Sequence, residues 1–472
     1  MTVHHIFSER KKMDTKTVAI KDARTLGWPK MLLLGLQHMF AMFGATILVP
    51  ILVNGYFKGE GISVQVTLFA AGVGTLLFHL ITKRKVPAFL GSSFAFLGGF
   101  ATIANLNTGI YKNMTMGEKV PYACGGIVVA GLLYLVLALI IKIVGVAKVM
   151  RFLPPVVTGP MIMCIGLSLA PSAISNASTN WLLALIALAV IIIFNVWGKG
   201  MFKIIPILMG VLISYAVALA MQFAGMTNPD GSTIIDFTST ASSAWVGLPD
   251  FILCKFNLTA ILVMAPIAIA TMMEHIGDMS AISATVGENF LEDPGLHRTL
   301  IGDGLATALS ACFGGPANTT YGENTGVLEL SRVFDPAVIR IAAVYAVVLS
   351  FVPKFASIIG SMPASIIGGV SFILYGMISA IGIRNVVENR VDLTNSRNLI
   401  IAAVILVCGL GFSSGLTFEI AGTSITLTSL AIASIAGVLL NAILPGNDYE
   451  FGVSPEGDMN RGVTLKARHR QD

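Results

Sequence analysis

PAFLGSSFAF, residues 87–96, and PANTTYGENT, residues 316–325, decide the fold of this chain. Each stretch begins with Pro-Ala, continues with small hydroxyl residues and an aromatic residue, and interrupts an apolar region. A helix broken in this way leaves backbone N–H groups free at the break. We therefore expect Ser92-Ser93-Phe94 and Thr319-Thr320-Tyr321 to form short extended stretches that face each other.

The composition around these stretches is typical of a membrane protein. Of 472 residues, 55% are apolar and only 12% are charged, against about 25% charged in a soluble domain. The 48 glycines suit helices packed closely in lipid. The five cysteines are far apart in the sequence and lack zinc-ligand or redox spacing, so they are predicted to be small apolar residues. The polar N-terminus lacks the apolar core of a signal peptide.

Fourteen segments are predicted to cross the membrane. Nine are clean apolar runs of spanning length, and five carry Pro, Gly or polar interruptions. In chain order the fourteen are 31–53, 63–82, 87–105, 122–147, 152–171, 181–197, 203–224, 258–281, 299–314, 316–331, 336–358, 362–383, 396–413 and 427–445.

The distribution of basic residues orients these segments. With a cytoplasmic N-terminus, 25 of the 30 lysines and arginines fall at the cytoplasmic side, which the positive-inside rule requires. The net charge of +5 therefore reflects cytoplasmic loops and tails, and we do not expect nucleic acid binding. Both termini are predicted to be cytoplasmic, and the longest loop, about 225–257, is predicted to lie outside. The five exceptions are Lys58, Lys112, Lys119, Lys255 and Lys354.

The two halves of the chain are predicted to repeat in opposite orientations. Pro87 in the third segment matches Pro316 in the tenth, and Pro154 in the fifth matches Pro363 in the twelfth. The predicted fold class is an all-α polytopic membrane protein. Its fourteen transmembrane segments form a 7+7 inverted repeat with short extended breaks in segments 3 and 10. In secondary transporters, interrupted segments at matching positions of two halves mark the substrate site.

Three acidic residues are predicted to lie at membrane depth. Glu274 and Asp278, in the eighth segment, are four residues apart and share a helix face. Glu323 follows Tyr321-Gly322 in the tenth. A charge at the bilayer centre costs about 2.5–3.5 kcal/mol on insertion scales, so such residues usually face a cavity and carry function. Burial disfavours the ionised form of a carboxyl group, which suits a group that takes up and releases a proton.

Other polar residues in these segments are predicted to be structural. His275 and His38 are expected to pack or to orient neighbours. Asp303 and Glu329 lie nearer the cytoplasmic ends of their segments, so solvated or capping roles are expected for them.

The chain resembles the nucleobase–ascorbate transporter family, also called nucleobase:cation symporter-2, and within it the bacterial uracil permeases. The resemblance extends over nearly the whole chain. The stretches that carry it are LQHMFAMFGATILVP (36–50), PAFLGSSFAF (87–96), EHIGD (274–278), EDPGLHR (292–298) and NTTYGENTGV (318–327).

The resemblance implies a homodimer in the cytoplasmic (inner) membrane that imports a nucleobase, uracil first, with the proton as coupling ion and no other cofactor. A core domain would move like an elevator against a gate domain. The implied divisions are an N-terminal tail 1–30, core 31–147 and 258–358, gate 148–225 and 359–446, an extracellular loop 226–257 and a C-terminal tail 447–472. The implied base-binding residues are Glu274, Glu323, Phe94, Tyr321, Gly322 and Ser93. From their burial and spacing, Asp278, Glu274 and Glu323 are predicted to take part in proton coupling.

One position departs from the uracil-permease pattern. Those proteins tend to have histidine four residues after the first acid, where this chain has Asp278. The purine-carrying branch has an acid there but usually glutamine at the position of Glu323. A xanthine or other purine symporter is therefore the main alternative. An anion transporter of the same architecture is a further one, although its site would be expected to lack acids. A membrane enzyme is not expected, because no nucleophile, metal cluster or phosphate-binding glycine loop is recognisable.

Overall fold

The computed structural model describes residues 19–420 and 423–446, so the predicted tails fall largely outside the described residues. The described chain is mostly helical. Its α-helices, in chain order, are α1 Trp28–Tyr56, α2 Val64–Ile81, α3 Leu97–Asn105, α4 Met116–Val144, α5 Val146–Met150, α6 Pro155–Ser168, α7 Ala170–Ala177, α8 Trp181–Trp197, α9 Met201–Ile204, α10 Pro206–Phe223, α11 Thr238–Ser242, α12 Leu258–Met264, α13 Ile267–Val286, α14 Leu296–Cys312, α15 Gly322–Ser331, α16 Pro336–Ser350, α17 Pro353–Gly360, α18 Ala364–Glu388, α19 Ser396–Gly411 and α20 Ser429–Ile443.

Two short antiparallel strand pairs accompany the described helices. β1 (Leu90–Ser92) pairs with β2 (Asn318–Thr320), with Gly91 opposite Thr319. These strands overlap the two stretches expected to be extended, although they begin one or two residues earlier. β3 (Leu416–Ile420) pairs with β4 (Thr423–Leu427) between α19 and α20. The second pair was not predicted.

Each of the fourteen predicted segments contains a helix, but fewer helices meet a strict length test. Seven described helical segments are long and apolar enough to cross a membrane, or eight if one bent pair is a single span. Three shorter apolar helices, α8, α19 and α20, accompany them. The number of fourteen crossings therefore stays a prediction.

The eleventh segment differs from its prediction. Residues 336–358 were expected to form one continuous helix, but α16 and α17 meet at an angle of 87°. Pro353 begins α17, and a proline has no N–H for the helical ladder and restrains the preceding residue away from helical geometry. The helix therefore breaks at Phe351-Val352.

The described helices pack in two sets. In the first set, α14 packs against α4 and α2, and α2 also packs against α16. In the second, α18 packs against α6, α7 and α8, and α19 packs against α20. The sets meet where α13 packs against α6 and α20, and where α10 packs against α1. This junction positions the candidate site.

Close helix contact in the first set depends on glycine. A Cβ on Gly304 of α14 would lie 2.6 Å from the carbonyl oxygen of Gly131 on α4. Real Cβ atoms do not approach backbone that closely, so α14 and α4 could not keep their spacing with alanine there. Small residues at helix contacts are the usual device for close packing in membranes.

The long loop 225–257, here called the outer loop after its predicted side of the membrane, packs against a helix and brings two cysteines together. Backbone N–H groups of Ile252 and Cys254 donate to the carbonyls of Phe313 and Cys312, at 3.2 and 3.1 Å. The loop thereby lies along the end of α14, and its position along the membrane surface stays a prediction. It also brings Cys254 beside Cys312, a neighbourhood that sequence spacing did not indicate. All five cysteines are free thiols.

Candidate functional site

The strand pair β1–β2 forms the floor of the site. Beyond the paired residues, the Ser93 N–H donates to the Ala317 carbonyl at 2.8 Å and the Tyr321 N–H donates to the Phe89 carbonyl at 3.0 Å. These bonds satisfy the extended backbone without water, which non-helical chain at membrane depth requires. Helix α15 begins directly after β2, and α3 begins five residues after β1.

Tyr321 is fixed by residues from the first and third predicted segments. Its hydroxyl donates to the Ser92 carbonyl at 2.9 Å and accepts from the Thr46 hydroxyl at 3.3 Å. The ring passes so close to Gly91 that a Cβ there would collide with it and lie 2.7 Å from the Thr46 hydroxyl. Gly91 is therefore needed for the position of the Tyr321 ring.

A central cavity of about 320 Å³ lies between α13, α15, α6, α10 and α18. Its volume falls within the range of small-molecule sites, and apolar walls with few polar groups are typical of such sites. The lining residues used below are Phe94, Glu274, Asp278, Tyr321, Gly322, Glu323, Thr319, Thr320, Lys203, Glu329 and Arg384.

Glu274 and Asp278 both line the central cavity from α13. The buried Glu274 Oε2 atom has no hydrogen-bond partner among the described residues. The Asp278 Oδ2 atom accepts a hydrogen bond from the Thr320 hydroxyl at 2.6 Å. The two acids therefore differ, because Asp278 has a local donor and Glu274 presents an unengaged acceptor to the cavity wall.

Glu323 lies in the first turn of α15 and lines the same cavity. The N-terminal end of a helix carries free N–H groups and a partial positive charge, which favours an acid there. The next residue, Asn324, donates to the His38 carbonyl at 3.0 Å and lies 3.2 Å from His38 Nδ1. His38 thus holds the start of α15 against α1, in agreement with its expected orienting role.

The remaining predicted residues fall into two groups. Phe94, Tyr321 and Gly322 line the central cavity, whereas Ser93 does not. The buried Ser93 hydroxyl has no hydrogen-bond partner in the described part of the chain. The Phe94 ring also makes an edge contact with Tyr375 of α18, with centroids 5.8 Å apart. Phe94 therefore links the extended stretch after β1 to α18 of the second helix set.

The expectation for Asp303 is wrong. It was predicted to be solvated or capping, but it is fully buried on α14. Its Oδ2 atom lies 2.8 Å from Nδ1 of His275, which is also fully buried. The position of Asp303 along its segment could indicate its depth in the membrane. It could not indicate which neighbouring helix its side chain would contact. His275 packs away from the cavity, as expected, and its partner is this second buried acid.

A second cavity of about 290 Å³, here the inner cavity, adjoins the first. Both cavities are lined by Ile162, Ala281, Thr285, Glu329, Ile381 and Arg384. The inner cavity adds Arg332 and Glu388, which the sequence places at the cytoplasmic side. Together the cavities form a route from Glu274 to the predicted cytoplasmic face.

Sequence reasoning missed several lining residues. Thr320 was noted only as part of an extended stretch, and Arg384 and Lys203 were counted as loop charges. Arg384 follows an apolar segment by one residue, so the α18 helix that continues past the predicted end carries it to the cavity. Among residues 19–420 and 423–446, no group of three His, Cys, Asp or Glu side chains could hold a metal ion.

The chain is similar to a family of membrane permeases. Residues 29–418 match the model of the Permease family. The chain is 41% identical over 449 residues to the uracil permease of Bacillus caldolyticus, which covers 92% of this chain and 96% of that protein. It is 40% identical over 429 residues to the uracil permease of Bacillus subtilis (strain 168), covering 87% and 91%.

Solved structures share the fold at low sequence identity. The transmembrane domain of the cyanobacterial bicarbonate transporter BicA superposes with a TM-score of 0.60 at 15% identity, over 88% of this chain and 98% of that one. SLC26A9 superposes with a TM-score of 0.62 at 13% identity, over 89% and 67%. At such identities the likeness concerns the fold alone.

Proposed function

Because the chain belongs to the nucleobase–ascorbate transporter family, a family of multi-pass membrane permeases, we propose that it is a uracil:proton symporter. The observation that carries the proposal is that Glu274 and Glu323, from the eighth and tenth predicted segments, line one cavity beside a broken helix. The relatives named as uracil permeases support uracil as the base. In an anion transporter, two acids lining the site would repel the substrate.

The chemistry of uracil fits the central cavity. Uracil has two ring N–H donors and two carbonyl acceptors. Glu274 and Glu323 accept from the ring donors, and such charge-assisted hydrogen bonds are the strong ones. Free N–H groups at the start of α15, next to Gly322, donate to a carbonyl. The Phe94 ring packs against the flat base. Tyr321 forms part of the cavity wall, and Ser93 stabilises the extended backbone outside the cavity.

Transport is proposed to follow the division into two domains. The core comprises 31–147 and 258–358, and the gate 148–225 and 359–446, in fourteen spans of a 7+7 inverted repeat. Two observations support this: the strands β1 and β2 occupy equal ranks in the two halves, and the described helices pack in two sets. An elevator movement of the core against the gate would carry the base from outside to the cytoplasmic route described above.

The setting of the protein is also proposed. It acts as a homodimer in the cytoplasmic membrane, with both termini inside, lipid around it and the proton as its only coupling partner. It is a carrier rather than an enzyme, since the family is one of permeases. Large exposed apolar side chains on α8, such as Leu182, Leu185 and Ile193, are surfaces for lipid or for the second subunit.

Uptake of labelled uracil into proteoliposomes tests the proposal. Uptake is expected to be saturable, to exceed that of empty liposomes, and to fall when the proton gradient is collapsed. Uracil uptake that did not change when the proton gradient was collapsed would contradict the proposed symport. Competition by 5-fluorouracil but not by xanthine is expected, because a site built for specific hydrogen bonds rejects molecules that leave its polar groups unpaired.

A purine symporter remains the second candidate, and Asp278 is the observation that favours it. The same assay decides between the two. Inhibition by xanthine, without inhibition by 5-fluorouracil or thymine, would assign the chain to the purine branch. Inhibition by pyrimidines alone would retain uracil and make Asp278 a variation within the pyrimidine carriers.

Asp278→Asn is expected to damage proton coupling while base binding is partly retained. The amide keeps the size of the side chain and can still bond to the Thr320 hydroxyl, but it does not exchange a proton. Uptake by the variant should lose most of its dependence on external pH, as measured in proteoliposomes over a series of buffers. Asp250→Asn, an exposed site in the outer loop, is the matched control. An unchanged pH profile in Asp278→Asn would contradict the assigned role.

A further inference from the structure

Arg384 and Asp278 line the central cavity from different helix sets. It lies near the end of α18, in the proposed gate, whereas Asp278 lies on α13, in the proposed core. Both residues line the central cavity, and Arg384 also lines the inner cavity. Arg384 is therefore one of two gate side chains, with Lys203, that carry positive charge into the substrate route.

The Arg384 guanidinium forms only a long ion pair within α18. Its Nε atom lies 3.8 Å from Glu388 Oε1, one turn further along, and the two side chains are 58% and 48% exposed. An ion pair this long and this exposed contributes little. The Arg384 side chain lines the inner cavity together with Gly277 and Ala281, which lie within one turn of Asp278 on α13.

The other ionisable groups around Asp278 are mostly acids. Glu274 is one turn away on α13, Glu323 and Glu329 face the cavity from α15, and the His275–Asp303 pair lies behind α13. Tyr134 of α4 is also buried, and it packs against Gly304 of α14. Lys203 also lines the central cavity, but of these two cations only Arg384 lines the inner cavity as well.

We propose that Arg384 is a positioning residue for proton release: it stabilises ionised Asp278 when the cavity is open to the cytoplasm. Because Arg384 belongs to the gate, movement of the core would carry Asp278 away from it. Asp278 then loses its countercharge and takes up a proton on the outer side. The proton on the Asp278 carboxyl passes to water of the inner cavity on return, so no other reactant is needed. This inference rests on the proposed proton symport.

The ratio of two transport rates tests it. Net uracil uptake driven by a proton gradient requires proton release inside, whereas exchange of labelled for unlabelled uracil at equal pH does not. Arg384→Gln is expected to keep exchange and to lower the ratio of net uptake to exchange roughly tenfold, the change that one unit of proton affinity gives. Arg384→Lys, which keeps the charge, should retain most of the ratio.

Two controls make the result specific. Lys203→Gln removes a charge from the same cavity and should leave the ratio unchanged. In the Asp278→Asn background, Arg384→Gln should have no further effect on the ratio, because the interacting partner is gone. A full effect in that background would overturn the inference, as would a wild-type ratio in Arg384→Gln or equal losses in the Lys and Gln variants. Loss of exchange together with net uptake would also overturn it, by placing Arg384 in folding or binding.

Failure of this inference is distinguishable from failure of the proposed function. If the wild-type protein takes up uracil without regard to the proton gradient, the symport itself is wrong. If wild-type uptake follows the gradient but the Arg384 variants keep the wild-type ratio, only the role of Arg384 is wrong.

Discussion

Replacing Glu274 by glutamine is expected to abolish uracil uptake while the protein remains in the membrane. Glu274 Oε2 is a buried acceptor in the cavity wall without a hydrogen-bond partner among the described residues. An amide would lose a charge-assisted hydrogen bond worth about 1.5–3 kcal/mol, and a misplaced donor would add about 1–3 kcal/mol. Together these reduce affinity for the base by at least about sixtyfold.

Uptake and binding should be measured on the same preparation. Uracil binding to the purified variant, followed as a ligand-induced rise in melting temperature, should disappear together with uptake. Glu419→Gln, in the exposed strand β3 away from the cavity, is the control and should transport normally. Normal transport by Glu274→Gln would show that the central site assignment is wrong.

Sequence reasoning could predict the parts of the site where a proline or an acidic residue interrupts an apolar segment. Pro87 and Pro316 break apolar runs, and the strands follow them. Glu274, Asp278 and Glu323 interrupt apolar segments, and all three line the cavity. Burying such groups without a purpose is costly, so their presence is informative by itself.

The parts that could not be predicted depend on which helices are neighbours. The approach of Asp303 to His275 joins two segments whose relative rotation no periodicity fixes. Arg384 looked like a loop charge because apolar content ends before the helix does. The hairpin β3–β4 had a usable signal in the β-branched residues Thr423, Ile425 and Thr426, but its position between two predicted spans favoured a loop.

Asp303→Leu is expected to destabilise the protein strongly, because it leaves His275 buried without its partner. Removing one of two neighbouring buried polar groups leaves the other without a partner, which costs about 1–3 kcal/mol, whereas replacing both by apolar groups of similar shape can be nearly neutral or stabilising. The double variant His275→Met, Asp303→Leu should therefore recover much of the melting temperature in detergent. Glu288→Leu, which breaks the exposed Lys21–Glu288 pair, should change it little.

Transport should not recover with stability in the double variant. His275 adjoins Glu274 on α13, and its contact with Asp303 fixes the rotation of the helix that presents Glu274 to the cavity. A stable double variant with low uracil uptake would therefore assign the pair to the positioning of Glu274 as well as to folding. A stable double variant that transports at the wild-type rate would limit the pair to folding. A single variant as stable as the wild type would mean that His275 and Asp303 do not interact as the structure places them.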